Sequence, residues 1–486
     1  MNILLLKPIH DVYYVISPNL GLGYLAAIAK EKDHSVRIFD SGKERATWGS
    51  FAELIRAHRF DIVGIQVFTH ELSAVRRHTE IIRDVSPETA IIVGGPHPSS
   101  LPEQTIEFLP EADFAFAGEA EKGWSAFLEL GEENYRDAEK LKTISGLVWR
   151  SVLDGSVTVN PVERVERLDD IDFPLWEAMR PDRYPPLPHG TFSRRFPVAP
   201  LIVSRGCPFQ CTYCGGHAVT GRAIRYRSVE NVVREMLFLR DTYTVREFHI
   251  EDDNFTFDRE YVRQLCERLI GLGSPFFISC PNGVRLERFD EELIKLMERA
   301  GFYSFAVGIE FGTDKILQAT KKGLTTALIK EKVALIKRTS RIRLTGFFLL
   351  GHPDEKEEDM RETIRFSKTL PIDKASFMYL MPLPGTPLWD DYLTRVDIRS
   401  VDWDRFFYYR TFNLSAVSDG TVSRLQRRAM LSFYLRPRII WSALSEIRSL
   451  SQVTILLRRV LNIVLPYTRT LKKKRSGRRG ILVGRR

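Results

Sequence analysis

Short apolar runs alternate with amphipathic helical patterns through the first quarter of the chain, and the two periods separate cleanly. Runs at 2–6, 35–39, 61–67, 90–93 and 113–117 read as buried strands, while 21–29, 50–58 and Leu72–Val85 carry the 3.6-residue spacing of helices. Strands alternating with helices predict an α/β fold, a doubly wound (Rossmann-like) parallel sheet with both faces covered. Ligands of such sheets sit beyond the carboxyl ends of the strands. The residues there are Gly21 and Gly23, Thr69, Gly94, Gly95 and His97, and Gly118 with Glu119. Glycine lets a backbone approach a large ligand closely, so their joint placement marks a candidate binding edge.

The pattern changes over 141–196. Residues 147–160 form two alternating runs around Asp154-Gly155, a hairpin signal, and the proline density of 174–200 reads as a linker. Hairpin and linker are expected to strap one domain against the next. Alternation then resumes with longer helices. Strands at 201–204, 247–251, 276–279, 302–309, Arg343–Leu350 and 374–380 predict a partial (β/α)6 barrel with its chemistry at the carboxyl ends. Helical patterns at 425–434, 439–450 and 451–465 follow. The expected units are therefore 1–140, 141–196, 197–395 and a mainly helical 396–486.

With 44% hydrophobic residues the chain can bury large cores, and its formal net charge of +9 has a definite address. Residues 469–486 carry nine Lys or Arg and no acid, leaving 62 basic against 62 acidic residues elsewhere. A body that grips nucleic acid along its length is thereby excluded. In 451–465, Val453, Leu456, Leu457, Val460, Leu461 and Val464 share one face, with Arg458, Arg459 and Asn462 opposite. That helix is too short to span a bilayer. Followed by a basic arm, it fits a peripheral contact with an anionic membrane surface, the alternative being a helix docked on the barrel.

Three of the five cysteines fall in Cys207-x-x-x-Cys211-x-x-Cys214, directly after an apolar run. Thiolates crowded on one loop select an iron–sulfur cluster or zinc. A cubane has four iron corners, so three cysteines leave one iron open. The alternative is a closed zinc site completed by His217. Disulfides do not suit a long chain that shows no secretory signal.

With Tyr213 preceding the last cysteine, this motif resembles the signature of the radical S-adenosylmethionine enzymes. The resemblance implies a [4Fe-4S] cluster whose open iron is chelated by S-adenosylmethionine, which an electron cleaves to methionine and a 5′-deoxyadenosyl radical. It also implies cofactor contacts. Asp252 and Asp253, in Glu251-Asp-Asp-Asn-Phe255, stand where the family usually has Gly-Gly-Glu, whose backbone meets the methionyl amino group. Glu310 would reach the ribose or methionyl group, Arg285 the carboxylate, and Gly351 the neighbourhood of the adenine.

The stretches Leu20-Gly-Leu-Gly-Tyr-Leu-Ala-Ala27 and Val93-Gly-Gly-Pro-His97 resemble the cobalamin-binding domain of one branch of that family, over most of residues 1–125. The Asp-x-His-x-x-Gly pattern that supplies a histidine ligand in other cobalamin proteins is absent, so cobalamin is expected to bind without it. Methylthiotransferases, with a second cluster in their N-terminal domain, are excluded because residues 1–206 contain no cysteine. The resemblance implies a cytoplasmic enzyme, supplied with electrons by a flavodoxin or ferredoxin, that methylates an unactivated carbon of a small, lipophilic molecule. Ring closure or rearrangement without methyl transfer is the variant reading. A non-catalytic sensor is disfavoured by the set of S-adenosylmethionine contacts.

Overall fold

The computed structural model describes residues 1–10, 16–185, 193–407 and 410–445. Its first sheet contains β1 (Asn2–Lys7), β2 (Ser35–Asp40), β3 (Ile62–Gln66), β4 (Ala90–Gly94), β5 (Phe114–Phe116), β6 (Leu147–Arg150) and β7 (Val157–Val159), in the order β2-β1-β3-β4-β5-β6-β7. The first five strands are parallel. Alternation within β1 sends Leu4 and Leu6 into one apolar layer and Ile3 and Leu5 into the other, which is why residues 3–6 are all apolar between Asn2 and Lys7. Chain direction across the sheet reverses between β1 and β3, and a crevice opens at such a switch point.

The hairpin is not a strap: β6 pairs antiparallel with β5 and β7 with β6, extending the sheet. Val148 is buried on one face and Leu147 with Trp149 on the other, so the run needs cover on both sides. The strapping role falls to the following segment. Leu175 N donates to the Gly23 carbonyl at 2.9 Å, and Trp176 Nε1 donates to Glu235 Oε1 at 2.8 Å in the second domain.

The second domain is a six-stranded parallel sheet in the order β15-β14-β13-β12-β11-β8. Its strands are β8 (Val198–Leu201), β11 (Glu247–Ile250), β12 (Phe277–Val284), β13 (Phe302–Glu310), β14 (Arg343–Leu350) and β15 (Lys374–Tyr379), with the short β9 (Ser204–Arg205) and β10 (Arg225–Tyr226) paired apart. The first strand thus starts and ends earlier than 201–204, because Val203 N and Ser204 N donate to a side chain instead of to a ladder. β8 and β15 do not pair, so the barrel stays open. The helix Asp419–Tyr434 lies along β15, where Gln426 Nε2 donates to the Phe377 carbonyl at 3.1 Å and the Tyr434 hydroxyl donates to that of Ala375 at 2.8 Å. The helix Pro437–Ser445 follows, leaving Ile440, Trp441 and Leu444 exposed. The helical pattern at 451–465 and the basic arm lie outside the described residues. No helix among those described is long and apolar enough to cross a membrane.

The first domain buries a titratable group in its core. His78 donates from Nδ1 to the Ala74 carbonyl at 2.8 Å and accepts at Nε2 from Ile9 N at 3.3 Å, a pairing that only the neutral ring can make. Burial between Trp48 and Phe51 pulls its pKa down to about 4. A base depressed on folding stabilises fully above its unfolded value and loses that contribution as pH falls toward the folded one. Stability should therefore decline from about pH 6.5 to 4, by about 3 kcal/mol for this group. Thermal unfolding followed across that range should show a shallower slope in His78→Gln, which keeps an acceptor and cannot charge.

Candidate active site

The cysteine loop leaves β8 under the control of one carboxylate. Asp252, buried just past β11, accepts from Val203 N at 2.8 Å, Ser204 N at 2.7 Å and Ser204 Oγ at 2.6 Å. Burial raises its pKa to about 7 despite these donors. Asp252 therefore fastens the loop's entry and has no oxygen aimed into open space. Asp253 accepts from Thr220 Oγ1 at 2.6 Å and lies against Gly216, so it braces the short helix that follows the loop.

Cys207, Cys211 and Cys214 carry free thiols, the first two half-buried and the third exposed. Burial pushes the Cys207 thiol up. Bound metal charge is what makes such thiols thiolates. Among the described residues no three His, Cys, Asp or Glu side chains converge on a single-ion site. His217 Nδ1 instead donates to the Cys214 carbonyl at 3.0 Å.

Three of the anticipated contacts gather around this loop. Tyr213 lies beside Glu310, and burial, ahead of the charge of Glu310, holds its hydroxyl well above the usual range. Glu310 ends β13 at φ 66°, a left-handed conformation that a long side chain adopts only under constraint. The guanidinium of Arg285 lies 3.7 Å from the centroid of Phe209, inside the cysteine loop, and donates to the Lys322 carbonyl at 3.0 Å. Lys322 itself was not anticipated. Its Nζ meets Glu310 Oε1 at 2.9 Å, and although burial opposes its charge, Glu310 together with the nearby Cys211 keeps its pKa raised. In sequence it sits in Lys321-Lys-Gly323, which reads as a solvated turn, so only the fold reveals it. Gly351 takes φ 98° after β14, where its N–H donates to Glu355 Oε2 at 2.7 Å.

At the edge of the first sheet, Gly21 and Gly94 have room beside them: an added Cβ would meet nothing nearer than 3.5 Å and 3.9 Å respectively. Asn19, which caps the helix Leu20–Glu31, donates to Gln66 at the end of β3 at 2.7 Å. His97 is fully buried. Its Nδ1 lies 3.2 Å from Thr69 Oγ1, its Nε2 has no hydrogen-bond partner, and Trp403 sits edge-on at 5.2 Å. Gly95 holds a tight turn at φ 114°. Gly23 and Gly118 are closed by the chain itself, since a Cβ would come within 2.6 Å of Met179 and 2.5 Å of Val162. Glu119 is likewise occupied. It accepts from Arg225 Nη1 at 2.9 Å and lies 3.6 Å from Arg205, whose Nη2 donates to Glu121 at 2.7 Å. The structure thus turns Gly23, Gly118 and Glu119 toward packing inside and between domains. It leaves Gly21 and Gly94 at the carboxyl edge with room for a ligand's approach, and the buried Thr69 and His97 behind them with an orphaned ring nitrogen, which suits a large planar cofactor.

The carboxyl edges of the two sheets face each other. The helix Pro96–Ser100, after β4, packs against Gly216–Thr220, after the cysteine loop, and Ser100 closes to 3.3 Å from a Cβ position at Gly385.

The Radical SAM superfamily profile matches residues 201–367 and the B12 binding domain profile residues 6–128. An uncharacterized methyltransferase of Pyrococcus horikoshii, PH0819, is 30% identical over 447 residues, covering 90% of this chain and 94% of its own. The chain belongs to the cobalamin-binding branch of the radical SAM superfamily. Another relative is the cytidylyl-2-hydroxyethylphosphonate methyltransferase of Streptomyces wedmorensis, 30% identical with 80% of each chain covered. The fold of this radical SAM enzyme matches that of the cobalamin-dependent enzyme OxsB with a TM-score of 0.71 at 17% identity, over 94% of this chain and 70% of that one. TsrM from Kitasatospora setae gives 0.66 at 19% identity, over 81% and 76%. The family's cofactors are a [4Fe-4S] cluster and S-adenosylmethionine in the barrel and cobalamin in the first domain. Three free thiols on one loop and an open glycine edge fit them.

Proposed function

We propose that this enzyme transfers a methyl group to an unactivated carbon of a small molecule held between the two sheet edges. The observation that carries this reading is the contact between the segment after β4 and the segment after the cysteine loop, which brings the corrinoid edge and the radical-generating loop onto one space. When bound, the cluster supplies an electron that cleaves S-adenosylmethionine, and the corrinoid carries a methyl group. The chain's own residues hold the parts. Asp252 fixes the entry of the cysteine loop, and Lys322 with Glu310, beside Tyr213, orders the loop's far side. Arg285, paired with Glu287 at 2.6 Å and stacked on Phe209, braces the cysteine loop from the side of β12. The names of relatives that methylate, PH0819 and the phosphonate enzyme, support the outcome. Ring closure is a second reading, favoured by 26% identity to the anaerobic magnesium-protoporphyrin IX monomethyl ester cyclase of Cereibacter sphaeroides.

The two differ in by-products. Methyl transfer consumes two S-adenosylmethionine molecules, so anaerobic turnover on metabolite extracts should yield S-adenosylhomocysteine and 5′-deoxyadenosine in equal amounts. 5′-Deoxyadenosine alone would establish the cyclase reading instead. We further read the substrate as lipophilic, a view motivated by the amphipathic pattern at 451–465 and the nine basic residues that follow it. Each basic residue near an anionic leaflet adds about 1 kcal/mol. The full chain should therefore sediment with anionic vesicles, less so in high salt, while a chain ending at Ser449 should stay in solution. Equal pelleting of both chains would remove this argument for a lipid-like substrate.

A further inference from the structure

The segment after β11 carries a side chain whose chemistry neither the loop nor the sheet accounts for. Asn254 is 1% exposed, and its Nδ2 lies 3.9 Å from Cys207 Sγ while its Oδ1 is buried without a hydrogen-bond partner. A buried amide with an idle oxygen costs free energy unless something else fixes its orientation. The cysteine does so. As a metal ligand Cys207 is a thiolate, an acceptor with no proton to give, so the amide must turn its N–H toward the sulfur and its oxygen away.

Its position is also rigid. Asp252, two residues earlier, is clamped by Val203 and Ser204, and the Glu251 carbonyl accepts from Asn282 Nδ2 at 2.8 Å. Phe255, the next residue, is buried and stacks on Phe302 with centroids 5.8 Å apart. An amide held this way cannot follow the sulfur or swing out to water.

We propose that Asn254 is a tuning residue that acts through Cys207, donating a hydrogen bond to the ligand sulfur and so setting how readily the cluster accepts its electron. Reduction adds one negative charge to the cluster, part of which resides on the cysteine sulfurs. A fixed N–H dipole aimed at that sulfur stabilises the reduced state more than the oxidised one, and hydrogen bonds to sulfur are among the protein's levers on cluster potential. The inference rests on the assignment of the cluster to Cys207, Cys211 and Cys214. It adds that the Asn at the position after the two aspartates was selected for its donor.

The test uses the reconstituted full chain and two variants, Asn254→Leu, which keeps the volume without a donor, and Asn254→Asp, which keeps the shape but replaces the donor with an acceptor. Iron and sulfide content come first. An unmodified protein that holds no cluster would refute the cluster assignment and not this step. Reductive titration followed by electron paramagnetic resonance then reads the potential. At a given solution potential, Asn254→Leu should show a reduced-to-oxidised ratio about tenfold lower, equivalent to ~59 mV for one electron, and Asn254→Asp a still lower one. If Asn254→Leu loses the cluster, Asn254→Asp carries the measurement. An unchanged or higher reduced fraction, opposite shifts in the two variants, or loss of the cluster from both folded variants would overturn the proposal and leave Asn254 a packing residue.

Discussion

Cys207→Ala, Cys211→Ala and Cys214→Ala should each be purified without a cluster and should produce no 5′-deoxyadenosine from S-adenosylmethionine. Each thiolate holds a different iron, and among the described residues no further His, Cys, Asp or Glu gathers with them to replace one, the Nδ1 of His217 being engaged with the Cys214 carbonyl. The remaining cysteines provide the control. Cys266 is on the helix Arg259–Gly271 and Cys280 on β12, and both belong to the buried apolar core. Cys266→Ala and Cys280→Ala should therefore keep iron, sulfide and cleavage at the level of the unmodified protein. Retention of iron by Cys211→Ala after anaerobic reconstitution would refute the site described above.

Arg205→Ala should cost about 3–5 kcal/mol of stability, because it leaves Glu121 and part of Glu119 as uncompensated buried charge. Arg205→Lys should recover little, since an ammonium cannot reach both carboxylates as the guanidinium fork does. The pH dependence gives an independent check. Burial pushes the Glu121 carboxyl up, but Arg205 outweighs it and holds the pKa below the ordinary value. An acid depressed on folding stabilises above its unfolded value and loses that contribution as pH falls. Acid should therefore weaken the unmodified protein through this pair. In Arg205→Ala protonation would relieve the stranded charge, so the gap in melting temperature between the two proteins should narrow as pH falls from 7 toward 4. A constant gap would show that the arginine acts only by filling space.

Much of the architecture could be read in the chain because each layer carries its own period. Arg343–Leu350 and Leu72–Val85 lie where the pattern placed them, and the helix between 21 and 29 extends to Leu20–Glu31. The cysteine motif was legible because its chemistry is local, three ligands within eight residues. What the pattern could not supply were pairings made by residues far apart. Glu119 follows a strand and sits beside a glycine, as a ligand contact would. Only the approach of Arg205 and Arg225, 86 and 106 residues later, makes it part of the domain interface. Gly23 illustrates the same point: a missing side chain that could admit a ligand instead admits Met179. Lys322 and Asn254 were invisible for the opposite reason, being polar residues in turn-like surroundings whose burial depends on strands not adjacent in sequence.

The open barrel has a consequence beyond catalysis. A parallel sheet that stops at β15 presents a row of unpaired carbonyls and amides, the kind of surface on which another copy can add a strand. Here Gln426 and Tyr434 take up the Phe377 and Ala375 carbonyls, so the helix Asp419–Tyr434 works as a guard rail for that strand. Variants shortened before Asp419 would retain the cysteine loop and the opposed sheet edges, yet they would expose a sticky flank. Their characteristic failure should be self-association in the test tube, at concentrations where the longer chain stays dispersed.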